Sequence, residues 1–167
     1  SMAAIQICKL LGANVITTVG DDSKIEKAKA IGADHVIQYR KQNFREEMKK
    51  ILKPMGKRGV EVAIDHVGAD TFNESMRSLA WGGRLATCGA TSGGDVTIDL
   101  KALFFKNLSL LGTTMGSKAD LIRLVSLVAE GKLRPVIDRT FSMDRLGEAL
   151  TMIEERKLFG KAILVRQ

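Results

Sequence analysis

Short apolar runs alternate with amphipathic segments along the whole chain, which is the pattern of an α/β protein. Residues 2–11 are apolar nearly all round and are followed by Gly12, as at the end of a buried helix. The β-branched run 14–19 predicts a buried strand. Ser23 and Glu26 form an S-x-x-E pattern, which predicts a capping box at the start of a second helix.

The same alternation continues to the end of the chain. Gly82 and Gly83 are expected to break a helix that carries Leu79, and Ser117 with Asp120 is expected to cap the longest helix. The predicted helices are residues 2–11, 118–130 and 146–153, with three more that begin after Ser23, Asn43 and Asp70. The predicted strands are residues 14–19, 35–39, 60–65, 84–88, 108–113, 136–141 and 162–165.

Strands that alternate with helices at this spacing predict a doubly wound parallel sheet with helices on both faces, a Rossmann-like fold. In such a sheet the ligand binds at the carboxyl ends of the strands. The loops expected there are rich in Gly, Thr, Ser and Asp, where backbone can approach a ligand closely. They are residues 19–24, 65–70, 88–94 and 112–117.

Composition narrows the class of protein further. A length of 167 residues favours a single domain that spans residues 1–167. The composition, with 45% hydrophobic and 27% charged residues, excludes a disordered chain. The net charge of the chain is +7, but the basic residues are interspersed with acidic ones. The few aromatic residues (six Phe, one Trp, one Tyr) form no platform on which bases could stack. We therefore expect no nucleic-acid partner. No apolar run is long enough for a membrane span, so no membrane partner is expected.

The metal and redox chemistry of the chain is expected to be limited. Cys8 and Cys88 form no CxxC pair, which excludes a disulfide scaffold and a structural zinc cluster. Both are expected to be reduced and buried, as in a cytoplasmic protein. His35 and His66 have no further ligands at a credible spacing, so no metal site is expected, and no residue is assigned a catalytic role.

The beginning of the sequence departs from the usual plan of this fold. A doubly wound domain opens with a strand whose first turn carries a glycine-rich phosphate loop, whereas this sequence opens on a helix. We expect a domain truncated at its N-terminus, without its first strand and glycine loop. Because that strand lies in the middle of the sheet, its absence would leave unpaired edges on the neighbouring strands.

Several stretches together resemble the cofactor domain of the medium-chain dehydrogenase/reductase superfamily, which includes zinc-type alcohol dehydrogenases and quinone oxidoreductases. They cover nearly the whole chain and are AAIQICKLLGANVITTVG, KAKAIGADHVIQYR, VEVAIDHVGADTF, WGGRLATCGATSG, LSLLGTTMG, GKLRPVIDRTFSMDRLGEAL and FGKAILV. The resemblance implies hydride transfer between NAD(P)H and an alcohol, carbonyl, quinone or enone. It also implies that the catalytic GroES-like domain is absent here. The fragment alone is then inactive, and zinc belongs to a full-length parent rather than to this chain.

The resemblance also implies a set of cofactor-binding residues. Those beside the nicotinamide and its ribose would be Val67, Gly68, Gly89, Ala90 and Thr91. Those that offer partners to the carboxamide would be Thr113 and Thr114, and those around the adenosine ribose would be Gly20, Ser23, Lys24 and Tyr39.

The choice of cofactor depends on the residues at the end of strand 14–19, which would be the second strand of a complete domain. An acid there selects NAD, whereas a small residue with a nearby cation accommodates a 2′-phosphate. Gly20 with Lys24 resembles the NADPH-using quinone oxidoreductases, but Asp21 and Asp22 favour NAD. We expect NADP(H) to be preferred over NAD(H).

Two other functions fit the same pattern. One is a different doubly wound nucleotide- or S-adenosylmethionine-binding enzyme, and the other is an inactive truncated or interaction module. The strand from Leu108 to Leu111 is in addition a candidate for homo-oligomerisation by sheet extension, as the family often shows.

Overall fold

A computed structural model of the chain describes residues 2–166. The helices are α1 (Met2–Leu10), α2 (Ile25–Ala30), α3 (Phe44–Leu52), α4 (Phe72–Ser78), α5 (Leu100–Phe105), α6 (Lys118–Ala129) and α7 (Leu146–Glu154). The strands are β1 (Ile16–Val19), β2 (His35–Gln38), β3 (Val60–Asp65), β4 (Leu79–Thr87), β5 (Ser109–Gly112), β6 (Ile137–Ser142) and β7 (Lys161–Val165). Every strand pairing is parallel, which confirms the α/β prediction.

The described residues divide into two compact units. Residues 2–41 and 117–166 form the first unit, which contains the β1–β2 and β6–β7 ladders. Residues 42–116 form the second unit, which contains the three-stranded sheet β3–β4–β5. The main core of the first unit is Ile5, Val15, Val19, Ala28 and Ala33. The core of the second is Phe72, Met76, Leu79 and Leu85.

In the described part of the chain, every strand except β4 keeps one unpaired edge. Within residues 2–166, β1 pairs only with β2, and β3 pairs only with β4. On β3 the side chains of Val62 and Ile64 are 53% and 45% exposed, although both are apolar. The apolar residues Val62 and Ile64 therefore lie on a strand that is unpaired on one side in the described part of the chain.

Two predicted helix starts are confirmed. The side chain of Asn43 accepts hydrogen bonds from the N–H groups of Arg45 and Glu46, as an N-cap does. Ser117 and Asp120 form a reciprocal capping box, in which each side chain accepts from the backbone N–H of the other. Short polar side chains at these positions satisfy N–H groups that the helix leaves without a partner.

The capping box predicted for Ser23 and Glu26 is wrong. The backbone is extended at Asp21, and the next three residues, Asp22–Lys24, form a 3₁₀ turn, so that Ser23 lies inside the turn. The carboxylate of Asp21 accepts the N–H of Ser23 at 2.9 Å and also its hydroxyl. The cap is thus two residues earlier than the sequence pattern indicates.

The predicted break at Gly82 and Gly83 is also corrected. Helix α4 ends at Ser78, and β4 begins at Leu79 and continues through both glycines. The register with β3 shifts here, and Gly82 has a φ of 71°. The glycines therefore form a bulge inside a strand rather than the end of a helix.

Helix α5 is absent from the sequence prediction. Asp99 caps it by accepting the N–H groups of Lys101 and Ala102. Its six residues are too few to give a helical period that stands out from the surrounding loop.

We expect the substitution Asp21→Ala to lower the Tm of the chain, because the N–H of Ser23 loses its acceptor. Glu26→Ala is the matched control, since Glu26 makes only a surface ion pair with Lys29. Thermal melts followed by circular dichroism measure both. A larger decrease in Tm for Glu26→Ala than for Asp21→Ala would instead support the capping box inferred from the sequence.

Candidate functional site

The end of β1 brings Gly20 and Tyr39 together. The N–H of Tyr39 donates to the carbonyl of Val19 at 3.1 Å. A Cβ on Gly20 would lie 2.8 Å from the Tyr39 hydroxyl oxygen and 3.2 Å from the ring carbon that carries it. A larger residue at position 20 would therefore require the tyrosine side chain to shift. The ring is 47% exposed, which leaves part of its surface available to a ligand.

The two acids after Gly20 are already engaged. Asp21 accepts from Ser23, and this bond from the Ser23 hydroxyl is the main reason why the pKa of Asp21 is lowered. Asp22 forms an ion pair with Lys41, and the hydrogen bond between them raises the pKa of Lys41. Asp22 is therefore paired with a cation, whereas Asp21 keeps its negative charge and has its carboxylate occupied by the neutral donors of Ser23.

Lys24 is held by the C-terminal part of the same unit. Its Nζ donates to the carbonyl oxygen of Arg156 at 2.6 Å. An ammonium group has three N–H donors, so two remain for another acceptor. Ser23 and Lys24 both lie on the 3₁₀ turn, within a few residues of Gly20.

At the end of β3, a buried carboxylate organises the backbone of the next loop. Asp65 is only 4% exposed. Its Oδ1 accepts the N–H groups of Val67 and Gly68 at 2.9 and 3.0 Å. Its Oδ2 accepts the hydroxyls of Thr71 and Ser75, each at 2.7 Å. Asp65 is therefore a structural acceptor of four hydrogen bonds.

The ionisation of Asp65 follows from these bonds. Burial raises the pKa of its carboxyl, but the N–H of Gly68, the hydroxyls of Thr71 and Ser75 and the N–H of Val67 together lower it by more. The pKa therefore lies below the ordinary value, and the group is a carboxylate at neutral pH. It is not suited to act as a general base there, because all its hydrogen bonds favour the charged form.

The loops after β3 and β4 are joined to each other. The Ser92 hydroxyl donates to the Val67 carbonyl at 2.8 Å and accepts the N–H of Asp70 at 3.0 Å. The N–H of Ala69 donates to the Gly93 carbonyl at 3.1 Å. At Gly68, where φ is 94°, a Cβ would lie 2.4 Å from that Gly93 oxygen, so no other residue fits without displacing the loop.

The same edge of the sheet offers free hydrogen-bonding groups. Within residues 2–166, the N–H groups of Gly89, Ala90 and Thr91 donate to no protein acceptor. Thr113 and Thr114, which follow β5, are exposed, and the N–H of Thr113 donates to the carbonyl that ends β4. The C-terminal residues of β3, β4 and β5 are aligned, with Asp65 beside Thr87 and Thr87 beside Gly112. The residues that follow these parallel strands therefore share one edge. Free donors beside glycines in a turn can bind a polar ligand.

The structure thus places the predicted residues in two groups, one in each unit. The first unit carries Gly20, Ser23, Lys24 and Tyr39. The second unit carries Val67, Gly68, Gly89, Ala90, Thr91, Thr113 and Thr114. Sequence reasoning missed the contributions of Ser92 and Lys41, whose partners lie 25 and 19 residues away along the chain.

Other sequence expectations concern cysteines, metals and membranes. Cys8 and Cys88 are free, but Cys88 is exposed and Cys8 is half-buried, so the prediction that both are buried is wrong. Cys88 directly follows β4, where the chain reaches the loop edge. Among residues 2–166, no three His, Cys, Asp or Glu side chains are grouped so that they could hold a metal ion. No helix in this range has the length and apolar character needed to cross a membrane.

Parallel strands with loops of this kind define a Rossmann-like nucleotide-binding domain. Residues 1–130 match the family model described as zinc-binding dehydrogenase. The chain belongs to this family. The match favours a dehydrogenase over the S-adenosylmethionine-binding alternative.

Relatives and solved structures agree with the family. An acryloyl-coenzyme A reductase of Sulfurisphaera tokodaii is 37% identical over 96% of this chain and 46% of its own length. Quinone oxidoreductase-like protein 2 of Mus musculus is 31% identical over 91% of this chain and 45% of its own length. A crystal structure of an NAD-dependent alcohol dehydrogenase matches 98% of this chain and 47% of that chain, with 40% identity and a TM-score of 0.88. The chain spans about half the length of the curated relatives it matches.

The lowered pKa of Asp65 predicts a pH-dependent stability. A carboxyl whose pKa is lower in the folded than in the unfolded chain stabilises the fold above the unfolded value and loses this contribution as the pH falls through the folded value. We expect the free energy of unfolding of the wild type to exceed that of Asp65→Asn at pH 7. The gap should shrink as the pH falls below about 4, the ordinary pKa of an aspartate.

Denaturant unfolding at a series of pH values measures this difference. Asp70→Asn is the control, because Asp70 is exposed and its side chain lies outside the Asp65 network. A gap between the wild type and Asp65→Asn that stays constant from pH 7 to pH 3 would contradict the prediction.

Proposed function

We propose that residues 1–167 are one dinucleotide-binding domain of an oxidoreductase that transfers hydride between NAD(P)H and an alcohol, carbonyl, quinone or enone. The observation that carries the proposal is the edge formed after β3, β4 and β5, where free N–H donors lie beside ordered glycine turns in a member of the zinc-binding dehydrogenase family. The relatives are about twice as long, which supports a separate catalytic GroES-like domain as the source of the substrate site. Zinc, where the parent enzyme uses it, would then bind outside this chain.

The first unit would bind the adenosine half of the cofactor. Tyr39 presents an exposed aromatic ring against the bare backbone of Gly20, and a ring of this kind packs well against an adenosine. Lys24 would contact the phosphorylated ribose through the two N–H donors that its bond to the Arg156 carbonyl leaves free. Ser23 lies on the same turn and would also contact the adenosine ribose.

The second unit would bind the nicotinamide half. Val67 and Gly68 form the ordered turn after β3, and the N–H groups of Gly89, Ala90 and Thr91 are free to donate. Thr113 and Thr114 would offer hydroxyl or backbone partners to the carboxamide. The nicotinamide ring supplies the hydride chemistry, and this chain supplies only its position and surroundings. No residue of the chain is assigned a catalytic role.

NADP(H) is the cofactor that we favour. Of the two acids that would repel a 2′-phosphate, Asp22 forms an ion pair with Lys41. Asp21 keeps its charge, but its carboxylate is directed to the N–H and hydroxyl of Ser23. Lys24 adds a cation at the same strand end. The similar NAD-dependent alcohol dehydrogenase supports the opposite preference, so the choice requires a direct test.

Titration of the chain with NADPH and NADH, followed by cofactor fluorescence, tests this preference. We expect NADPH to bind more tightly than NADH. Lys24→Ala should reduce the ratio of the two affinities about tenfold, since the loss of one contact worth about 1.4 kcal/mol changes Kd tenfold. Lys101→Ala, an exposed lysine of the second unit, is the control. Tighter binding of NADH by the wild type would overturn the preference. Binding of neither dinucleotide would favour the interaction-module alternative.

We also propose that two copies associate through the segment from Leu108 to Leu111, most of which lies in β5. This strand ends the three-stranded sheet, and Leu111 is 48% exposed. An apolar edge strand of this kind can pair with a second copy of itself. The free cysteines fit the cytoplasmic location inferred from the sequence.

Light scattering on the purified chain tests this association. Leu111→Lys should reduce the oligomeric fraction, because a lysine on an edge strand opposes pairing. Val62→Lys tests the unpaired edge of β3 instead, and Leu11→Lys is the control at an exposed leucine outside the strands. A monomeric wild type, or an effect of Val62→Lys alone, would contradict association through β5.

A further inference from the structure

The turn after β3 owes its conformation to one side chain. Both N–H groups of the turn, at Val67 and Gly68, donate to the same oxygen of Asp65, which is buried beneath them. A trans peptide holds its N–H and its carbonyl on opposite sides, so the carbonyl of His66 is directed away from Asp65. The orientation of these peptide planes is therefore set by a carboxylate that is almost inaccessible to solvent.

A second contact fixes the same turn from the other side. The Val67 carbonyl accepts both the hydroxyl and the N–H of Ser92, each at 2.8 Å. Ser92 belongs to the loop that also carries Ala90 and Thr91. Asp65 and Ser92 together determine where the backbone of the β3 turn lies relative to the free N–H groups of the β4 loop.

We propose that Asp65 is a positioning residue for the nicotinamide half of the cofactor, and that Ser92 supports it. This inference rests on the proposed function, because it assigns the turn that Asp65 holds to the nicotinamide. Asp65 touches no ligand in this scheme. It acts through Val67 and Gly68, whose peptide groups it holds in place before the cofactor arrives, so that binding does not require the turn to be ordered.

The chemistry of the carboxylate makes this role specific. Its two oxygens accept four bonds from Val67, Gly68, Thr71 and Ser75. An asparagine keeps one oxygen, which can still accept the two N–H groups of the turn. An alanine leaves both N–H groups without an acceptor in a buried place, and such groups move toward other partners. The asparagine variant should therefore restore positioning that the alanine variant loses.

The test uses the whole chain with three probes: NADPH, reduced nicotinamide mononucleotide and 2′,5′-ADP. Binding is followed by calorimetry and by amide NMR signals. Asp65→Ala should weaken NADPH and the mononucleotide about tenfold or more, which corresponds to about 1.4 kcal/mol. The affinity for 2′,5′-ADP should stay unchanged, because its proposed partners lie in the first unit. Asp65→Asn should recover most of the loss, and Ser92→Ala should show a smaller loss in the same direction.

The outcomes separate this inference from the proposed function. Variants with a lower Tm but unchanged affinity for all three probes would show that Asp65 is only structural, with the proposed function intact. Equal loss of 2′,5′-ADP and mononucleotide binding would also overturn the positioning role. A wild type that binds none of the probes would refute both proposals together. Asp70→Asn serves as the control. If Asp65→Ala does not fold, the two single variants Asp65→Asn and Ser92→Ala provide the test.

Discussion

A buried negative charge must be compensated, and in this chain the compensation shapes the candidate site. Asp65 is only 4% exposed, and a carboxylate in such a place is tolerable only when hydrogen-bond donors surround it. The donors that the fold provides are the N–H groups of Val67 and Gly68 and the hydroxyls of Thr71 and Ser75. The turn after β3 and the start of α4 are therefore organised by one charge. The loop after β4 then attaches to that turn through Ser92.

The parts of the fold that depend on local patterns could be predicted from the sequence. Apolar runs gave the strands, and Asn43 and Ser117 marked helix starts, because an N-cap needs only a short polar side chain next to an apolar stripe. The start of α2 could not be predicted so well. The S-x-x-E pattern at Ser23 is satisfied in sequence, but the cap belongs to whichever residue is extended, which here is Asp21. The bulge in β4 depends on pairing with β3, and no pattern within β4 reveals it.

The candidate site was predictable to the extent that it lies where parallel strands end. The resemblance indicated Gly20, Gly68 and Gly89, and the structure shows a close approach of other atoms at each of them. The residues that sequence reasoning missed act over long separations. Lys41 compensates Asp22 from the far end of β2, and Ser92 reaches Val67 from another strand. Such contacts exist only after the sheet is formed, and for this reason residue spacing alone does not indicate them.

The division of the chain into units has a consequence for biosynthesis. Residues 42–116 are continuous in sequence, whereas the other unit combines residues from both ends of the chain. Residues 42–116 are synthesised before residues 117–166. Because domains generally fold as units during synthesis, the continuous unit can fold first. Residues 2–41 therefore complete their unit only after residues 117–166 have been made. Until then the core around Ile5 and Val15 lacks Phe159, which packs against it from the later residues.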